Sequence, residues 1–192
     1  HPFRRYFLNF NVKLILSPIF LISTLFPQSQ IGSNISNKSE TISMSGDGKI
    51  SGVSDGTSSK IYSWNGSAWN LRATINKNAT SVRISYDGNT IVVGEASSDK
   101  VFVYQWNGSA LVQKGSDIQR SGSFGTSVSI SNDGNIIAIG ARSGENSSGS
   151  AVGLVYVYYW NNNEWNLRGN AFEGPQASEG YGENITISGD GT

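Results

Sequence analysis

The chain has 192 residues, enough for one domain with a hydrophobic core, and carries 14 basic and 14 acidic residues. This balance, with no basic cluster after residue 13, excludes the electrostatic signature of a nucleic-acid-binding protein. The lack of Cys excludes disulfides and thiolate chemistry, and a single His, His1, excludes Ser-His, Cys-His and His-metal sites. The 23 Gly, 4 Pro and 11% aromatic residues favour an all-β protein with many tight turns.

Residues 1–30 differ from the rest of the chain. A basic flank that includes Arg4, Arg5 and Lys13 precedes an apolar run at 14–26. As a helix this run would span about 20 Å, too short for a hydrocarbon core of about 30 Å. The pattern predicts a secretory signal peptide, with a membrane anchor and a ragged chain end as alternatives. We therefore expect a secreted or cell-surface protein that meets a membrane only through this segment, if it stays uncleaved.

The pattern Ser-x-Asp-Gly then recurs four times along the chain. Each copy follows a run in which every second residue is apolar, which indicates a β-strand that leads into a turn. A second, more apolar strand follows the first three turns, near 50–53, 91–94 and 136–140. The aspartates of the repeated pattern are Asp47, Asp87, Asp133 and Asp190.

A third strand in each repeat ends in Trp and is followed by an Asn-rich turn and a short fourth strand. The Asn-Gly pairs at 65–66 and 107–108 predict type I′ hairpin turns, in which both central residues have positive φ. The tryptophans are Trp64, Trp106 and Trp160.

Four antiparallel strands per repeat are typical of a β-propeller blade, because one such sheet cannot bury both faces without neighbours. We expect a partial propeller over residues 31–192, all-β, with blades near 39–75, 79–118 and 124–172. The start of a next blade is expected at 181–192. Three blades and a start do not close a ring, so we expect further blades downstream.

The third repeat carries Phe124-Gly125, "IAIGAR" at 137–142 and "GLVYVYYW" at 153–160. Tyr181-Gly182 stands at the corresponding place in the next repeat. These residues resemble the FG-GAP repeat of integrin α-subunit propellers. The resemblance implies a propeller with a role in binding or adhesion. Such blades often bind Ca²⁺ between their first two strands, but each turn here offers a single carboxylate, so we expect no metal and no cofactor.

The repeated side chains each allow two interpretations. The four aspartates could be catalytic, but identical placement in every blade favours a structural role in the turns. The tryptophans could stack on sugars, but their repetition favours packing between blades. The N-x-S/T sequences could carry glycans or could be ordinary turn residues. The candidate glycosylation sites are Asn65, Asn78, Asn107 and Asn146.

Ligand binding is expected on the face opposite the tight turns. There the long loop at 141–153 meets the connections at 116–125 and 169–182, and long loops on a rigid scaffold often carry function. The alternative is that these are solvated loop residues. The candidates for this face are Arg120, Arg142, Glu145, Glu179 and Tyr181.

The sequence thus predicts a non-enzymatic binding or adhesion module that recognises a protein or glycan at a surface. One alternative is a carboxylate-based carbohydrate-active enzyme, which would need two converging acidic groups. Another is a structural spacer within a larger surface protein.

Overall fold

The computed structural model describes residues 41–177 and 179–192, so the predicted signal-like segment, residues 1–30, lies outside the described residues. The described part of the chain contains no helix long and apolar enough to cross a membrane. It consists of short strands joined by turns, with one 3₁₀ turn, Ala96–Ser98. The strands are β1 Thr41–Met44, β2 Ile50–Ser54, β3 Ser59–Trp64, β4 Trp69–Ile75, β5 Ser81–Ile84, β6 Thr90–Glu95, β7 Lys100–Trp106, β8 Leu111–Gln113, β9 Ile118–Gln119, β10 Phe124–Ile130, β11 Ile136–Ala141, β12 Leu154–Asn161, β13 Glu164–Leu167 and β14 Phe172–Glu173.

The strands form three antiparallel sheets, each with consecutive strands as neighbours. Blade one has the order β1-β2-β3-β4, blade two β5-β6-β7-β8, and blade three β10-β11-β12-β13. The two-residue strands β9 and β14 add to the free part of β7 and β12, where the fourth strand has ended. The predicted fold is confirmed: the described part of the chain is an all-β propeller of four-stranded blades, with three blades and the beginning of a fourth.

The core lies between the blades because the second strands of blades two and three, β6 and β11, are apolar on both faces. On β6, Ile91 and Val93 pack towards blade one, whereas Val92 packs towards blade three. On β11, Ile137 and Ile139 join Val92 in the same cluster. All five side chains are fully buried. Burial of each such side chain stabilises the fold by about 1.5–3 kcal/mol, so every blade depends on its neighbours.

The predicted type I′ turns at 65–66 and 107–108 are wrong. Only the glycines there, Gly66 and Gly108, have positive φ. The side-chain oxygen of Asn65 instead accepts hydrogen bonds from the amides of Ser67 and Ala68 at 2.9 Å, which produces a four-residue loop between Trp64 and Trp69. Asn competes with the backbone in this way because its side chain is short and its carbonyl is a good acceptor. Positive φ at two successive turn residues occurs in blade three, at Asn162 and Asn163.

The strand predicted at the start of the next blade is also not formed. Residues 184–188 belong to no ladder, because no second strand lies beside them within residues 41–177 and 179–192. A strand is defined by its partner, and an alternating sequence cannot supply one. We refer to residues 179–192 as the fourth-blade segment.

Candidate functional site

The four Ser-x-Asp-Gly turns each have the same pattern of hydrogen bonds. In the third, the Ser131 hydroxyl donates to Asp133 at 2.6 Å, and the amide of Asn135 donates to the same carboxylate at 3.0 Å. The amide of Ile136 donates to the Ser131 hydroxyl oxygen at 3.0 Å. The Asp190 carboxylate receives the same bonds from Ser188 and Thr192. Every predicted turn aspartate is therefore committed to its own turn, where a carboxylate oxygen replaces a backbone acceptor.

The bonds lower the pKa of these carboxyl groups. The Ser131 hydroxyl holds the pKa of Asp133 below its usual range against partial burial, with help from Asn135 and the nearby Lys114. The Ser188 hydroxyl, followed by Thr192, has the same effect on the pKa of Asp190. General acid catalysis at neutral pH needs a raised carboxyl pKa, so the shift at these turns is in the opposite direction.

A repeated cation joins each blade to the next, and sequence reasoning missed it. Arg72 lies within β4, and Lys114 and Arg168 directly follow β8 and β13. Each donates to the glycine carbonyl of the following Asp-Gly turn: Arg72 to Gly88 at 3.2 Å, Lys114 to Gly134 at 2.9 Å, and Arg168 to Gly191 at 2.8 Å. Burial lowers the pKa of Lys114, and the Asp133 and Asp87 carboxylates oppose that shift. The signal was visible as a basic residue at the same place in three repeats.

The tryptophans pack both within and between blades. Trp64 faces Trp69 across its own hairpin with ring centroids 5.5 Å apart, and Trp160 faces Trp165 at 5.2 Å. Between blades, the Arg72 guanidinium lies 3.9 Å from the ring centroid of Trp106.

Lys114 makes the corresponding contact with blade three. Its ammonium lies 5.1 Å from the Trp160 ring and 5.4 Å from the Trp165 ring. The Trp165 indole also donates to the Lys114 carbonyl at 2.9 Å. Trp106, Trp160 and Trp165 are therefore engaged in cation–π contacts at the blade junctions, whereas Trp64 packs within its own hairpin.

Pairs of glycines allow neighbouring blades to approach closely. The Gly94 backbone of blade two lies against the Gly125 carbonyl of blade three, so that an added Cβ would come within 2.2 Å of the oxygen. A Cβ added to Gly140 would come within 1.9 Å of the Gly182 carbonyl oxygen. The Ser81 hydroxyl donates to the Gly125 carbonyl and the Ser127 hydroxyl to the Gly182 carbonyl. Gly125, Gly140 and Gly182, which were quoted for the resemblance above, therefore lie where blade three meets blade two and the fourth-blade segment.

The loops on the face opposite the tight turns come together as one surface. The Ser143 amide donates to the Gly122 carbonyl at 2.9 Å, and the Gly174 amide donates to the Gly153 carbonyl at 3.0 Å. Gly153 in turn lies against the backbone of Tyr181. We call this surface, residues 120–123, 142–153 and 174–183 without Ser178, the loop face.

The five candidate ligand residues all belong to the loop face but differ in their contacts. The Arg120 guanidinium donates to the Tyr158 hydroxyl at 2.7 Å and lies over Tyr156, so it connects blades two and three. Arg142 forms an exposed ion pair with Glu183 at 3.7 Å. Glu145 forms a bridge with Ala151 inside its loop.

Glu179 and Tyr181 instead line a cleft of about 890 Å³ beside blade three. Its floor is apolar, with Ala138, Val155 and Val157, and its far wall is the fourth-blade segment. On the loop face, the Arg120 side chain is therefore held by contacts with blade three, whereas the Arg142 and Glu179 side chains are exposed to solvent.

The candidate glycosylation sites lie on the surface in tight loops. The side-chain oxygens of Asn107 and Asn146 accept hydrogen bonds from neighbouring Ser residues, as that of Asn65 does. Asn78 is exposed, and its backbone amide donates to the Glu95 carboxylate at 2.8 Å. A glycan would be attached to the side-chain amide nitrogen of each Asn.

Two aspartates missed by sequence reasoning also serve the backbone. Asp55 accepts bonds from Thr57 and Ser58, and the Thr57 hydroxyl and amide together lower its pKa to about 2. The Asp99 carboxylate accepts from the Phe124 amide at 3.0 Å. Among residues 41–177 and 179–192, no three His, Cys, Asp or Glu side chains converge as a metal site would require.

Similar backbones occur in solved propeller structures of much greater length. Hydrazine synthase from Kuenenia stuttgartiensis matches 85% of this chain and 43% of its own, with 17% identity and a TM-score of 0.56. Two proteins named for 6-phosphogluconolactonase activity match as well. The one from Bacteroides fragilis covers 69% of this chain and 38% of its own, with 11% identity and a TM-score of 0.53. The one from Bacteroides uniformis covers 85% and 50%, with 13% identity and a TM-score of 0.52.

At these identities the likeness shows the fold alone. The chain spans half or less of the length of each of these proteins. No curated protein matches the sequence. A family model does match, over residues 34–191, which is most of the chain. The chain therefore belongs to the family of unknown function DUF5711.

Proposed function

We propose that this protein is a non-enzymatic binding or adhesion module with FG-GAP-like blades, secreted or exposed at a cell surface. It recognises a protein or glycan partner through the loop face. The observation that carries the proposal is the ordered loop at 142–153, which presents exposed polar side chains on a rigid scaffold. Its backbone is fixed by bonds from the Asn146 amide to Ser150 and from the Gly153 amide to Gly144, both at 3.0 Å. An ordered loop loses little conformational freedom on binding, which favours recognition.

The turn carboxylates add indirect support. Asp47, Asp87, Asp133 and Asp190 all have a lowered pKa, because hydroxyl and amide donors stabilise the charged form. At Asp87, burial is the largest influence and acts in the opposite direction, yet the bonds from Ser85 and Asn89 outweigh it. These carboxylates therefore suit turn formation better than proton transfer.

The test is a binding screen of the full chain against a glycan array and immobilised extracellular matrix proteins. We expect saturable binding to at least one member, and loss of that binding in the double variant Arg142→Ala/Glu145→Ala. The matched control is Lys49→Ala/Glu164→Ala, which also removes one positive and one negative exposed charge, but at the opposite, tight-turn face.

Two results would contradict the proposal. A flat response across both arrays would favour a structural spacer. Release of sugar from an array member by the chain, lost on substitution of an acidic residue, would favour the carbohydrate-active enzyme.

A further inference from the structure

The junction between blades two and three brings a lysine nitrogen against a side-chain amide. The Lys114 Nζ atom donates to the Asn135 side-chain oxygen and to the Gly134 carbonyl, both at 2.9 Å. Lys114 is only 7% exposed. A carbonyl bond is about 1.2 Å long, so Nζ lies no more than about 4.1 Å from the side-chain carbon of Asn135. The nitrogen is therefore within reach of that carbon.

The same amide is held from its other end by a carboxylate. The Asn135 side-chain nitrogen donates to one Asp133 oxygen at 3.1 Å. The other Asp133 oxygen accepts from the Ser131 hydroxyl at 2.6 Å and from the Asn135 backbone amide at 3.0 Å, and these bonds fix the carboxylate in its turn. The side-chain amide of Asn135 is therefore held with its oxygen towards Lys114 and its nitrogen towards Asp133.

Two tryptophans cover the lysine nitrogen. It lies 5.1 Å from the ring centroid of Trp160 and 5.4 Å from that of Trp165. Burial lowers the pKa of Lys114, against the opposing effect of the Asp133 and Asp87 carboxylates. A lowered pKa increases the share of the neutral amine, which is the form with a free electron pair that can attack a carbonyl carbon.

Among the junctions within residues 41–177 and 179–192, this is the one that combines a lysine with an asparagine. In the turn of blade two, Asn89 occupies the place of Asn135, but the cation that reaches this turn is Arg72. An arginine side chain stays charged and has no free electron pair for attack. Beyond blade three the cation is Arg168, and the residue that corresponds to Asn135 is Thr192, which has no side-chain amide.

We propose that Lys114 and Asn135 react with each other to form an isopeptide bond that links blade two covalently to blade three. The Lys114 nitrogen attacks the side-chain carbon of Asn135, a new carbon–nitrogen bond forms, and the bond from that carbon to the Asn135 side-chain nitrogen breaks. One proton of the attacking amine passes to the departing nitrogen, which leaves as ammonia. The reaction changes no oxidation state and needs no further reactant. It does not depend on the ligand binding proposed for the loop face.

Asp133 acts as a positioning residue in this reaction. Its bond to the Asn135 side-chain nitrogen restrains the amide, so that the carbon stays within reach of the lysine nitrogen. Two groups held together in this way react much faster than two groups that must first meet. The product closes residues 114–135 into a loop and ties the end of blade two to the first hairpin of blade three.

The experiment follows the intact mass of the folded full chain during a long incubation at neutral pH. We expect a species about 17 Da lighter than the sequence mass, since each link releases one ammonia. Lys114→Arg keeps the positive charge but cannot react, and Asn135→Ala removes the amide, so both should keep their full mass. The matched control Lys100→Arg makes the same exchange at a lysine that pairs with the Asp117 carboxylate, and should lose ammonia as the wild type does.

A tryptic digest locates the link, because trypsin does not cleave after a lysine whose amine is acylated. The linked chain should yield residues 101–120, uncleaved after Lys114, joined to residues 121–142. A cyclic imide at Asn65 or Asn107 would also release ammonia, but it would leave cleavage after Lys114 intact. Near-ultraviolet circular dichroism, which reports the packing of Trp160 and Trp165, identifies the variants that fold.

The rate of ammonia release tests the role of Asp133. Asp133→Ala should slow the release at least about tenfold, because the amide is no longer restrained. The matched control is Asp47→Ala, which removes the corresponding carboxylate from the turn of blade one and should leave the rate unchanged. Equal rates in the two variants would overturn the positioning role.

Two results would overturn the link itself. One is a folded wild-type chain that keeps its full mass throughout the incubation. The other is a loss of ammonia that persists in a folded Lys114→Arg or Asn135→Ala chain, or that the digest places outside residues 101–142.

Discussion

The junction between blades two and three and the cleft beyond blade three are built from corresponding residues but differ in what covers them. At the junction, Val101 and Val103 are buried by Ile137 and Ile139. At the cleft, Val155 and Val157 are only half-buried, and the fourth-blade segment forms the far wall. The chain around both is otherwise alike, with the same serine, glycine and cation contacts.

The comparison separates two layers of interaction in this propeller. Polar contacts, such as Ser81 to Gly125 and Ser127 to Gly182, form as soon as a first strand is present. Apolar burial is complete only when a second strand follows. The polar contacts therefore fix the register of a blade, and the second strand supplies most of the burial that stabilises it. The predictions below test this division.

The largest effect is expected at Phe124, which is fully buried at the junction. Phe124→Ala should lower the free energy of unfolding by about 3–5 kcal/mol, because it removes a ring that packs against Tyr156 and leaves a cavity. Tyr181 holds the matching position at the cleft and is only half-buried. Tyr181→Ala should cost clearly less. Urea unfolding measures both, and equal losses would contradict the comparison.

Gly94→Ala should come next. Its Cβ would meet the Gly125 carbonyl, which is held between two complete blades, so we expect a loss of about 1–3 kcal/mol from the displaced backbone. Gly140→Ala creates the same clash with Gly182, but the fourth-blade segment can move outwards. Thermal unfolding should therefore show the smaller loss for Gly140→Ala. A larger loss there would mean that the segment is as firmly held as a complete blade.

Acid should weaken the turn networks. The folded-state pKa of Asp133 lies below its unfolded value, so its contribution is fully present above about pH 4 and is lost as the pH falls through the folded value. Asp133→Asn keeps one acceptor oxygen and should cost under about 1 kcal/mol at pH 6. The difference between wild type and variant should shrink at pH 3. Asp190→Asn is the matched change at the cleft, and a difference that grows in acid would show that the sign is wrong.

The smallest effect is expected at Phe172. Because its ring is mostly in water, Phe172→Ser should change the free energy of unfolding by no more than about 0.5 kcal/mol. Ile118→Ser at the equivalent buried position should cost several times more. Calorimetry of the two variants compares them directly, and a large loss for Phe172→Ser would mean that the cleft is covered in solution.

Much of the fold could be predicted because a strand with one apolar and one polar face shows alternating apolar and polar residues in the sequence. The alternation at Val128 and Ile130 and the apolar run of β11 are properties of one segment. The role of the turn aspartates could also be predicted, since Asp133 bonds to residues within two positions of itself. Local interactions leave a local pattern.

Most of the missed features depend on a second segment. Residues 184–188 have the sequence of a strand, but within residues 41–177 and 179–192 no neighbouring strand completes the ladder. The cation at Lys114 bonds to Gly134, and its partner is fixed by the twist between blades, which one repeat does not show. On the loop face, the sequence did not show that the guanidinium of the candidate Arg120 bonds to Tyr158 in the following blade.

The forward reach of the three cations has a consequence for biosynthesis. Each finds its acceptor later in the chain: Gly88 lies 16 residues after Arg72, Gly134 lies 20 after Lys114, and Gly191 lies 23 after Arg168. During synthesis, each of these cations therefore leaves the ribosome before the carbonyl that it bonds to. This contact between blades can form only after the first hairpin of the next blade has emerged.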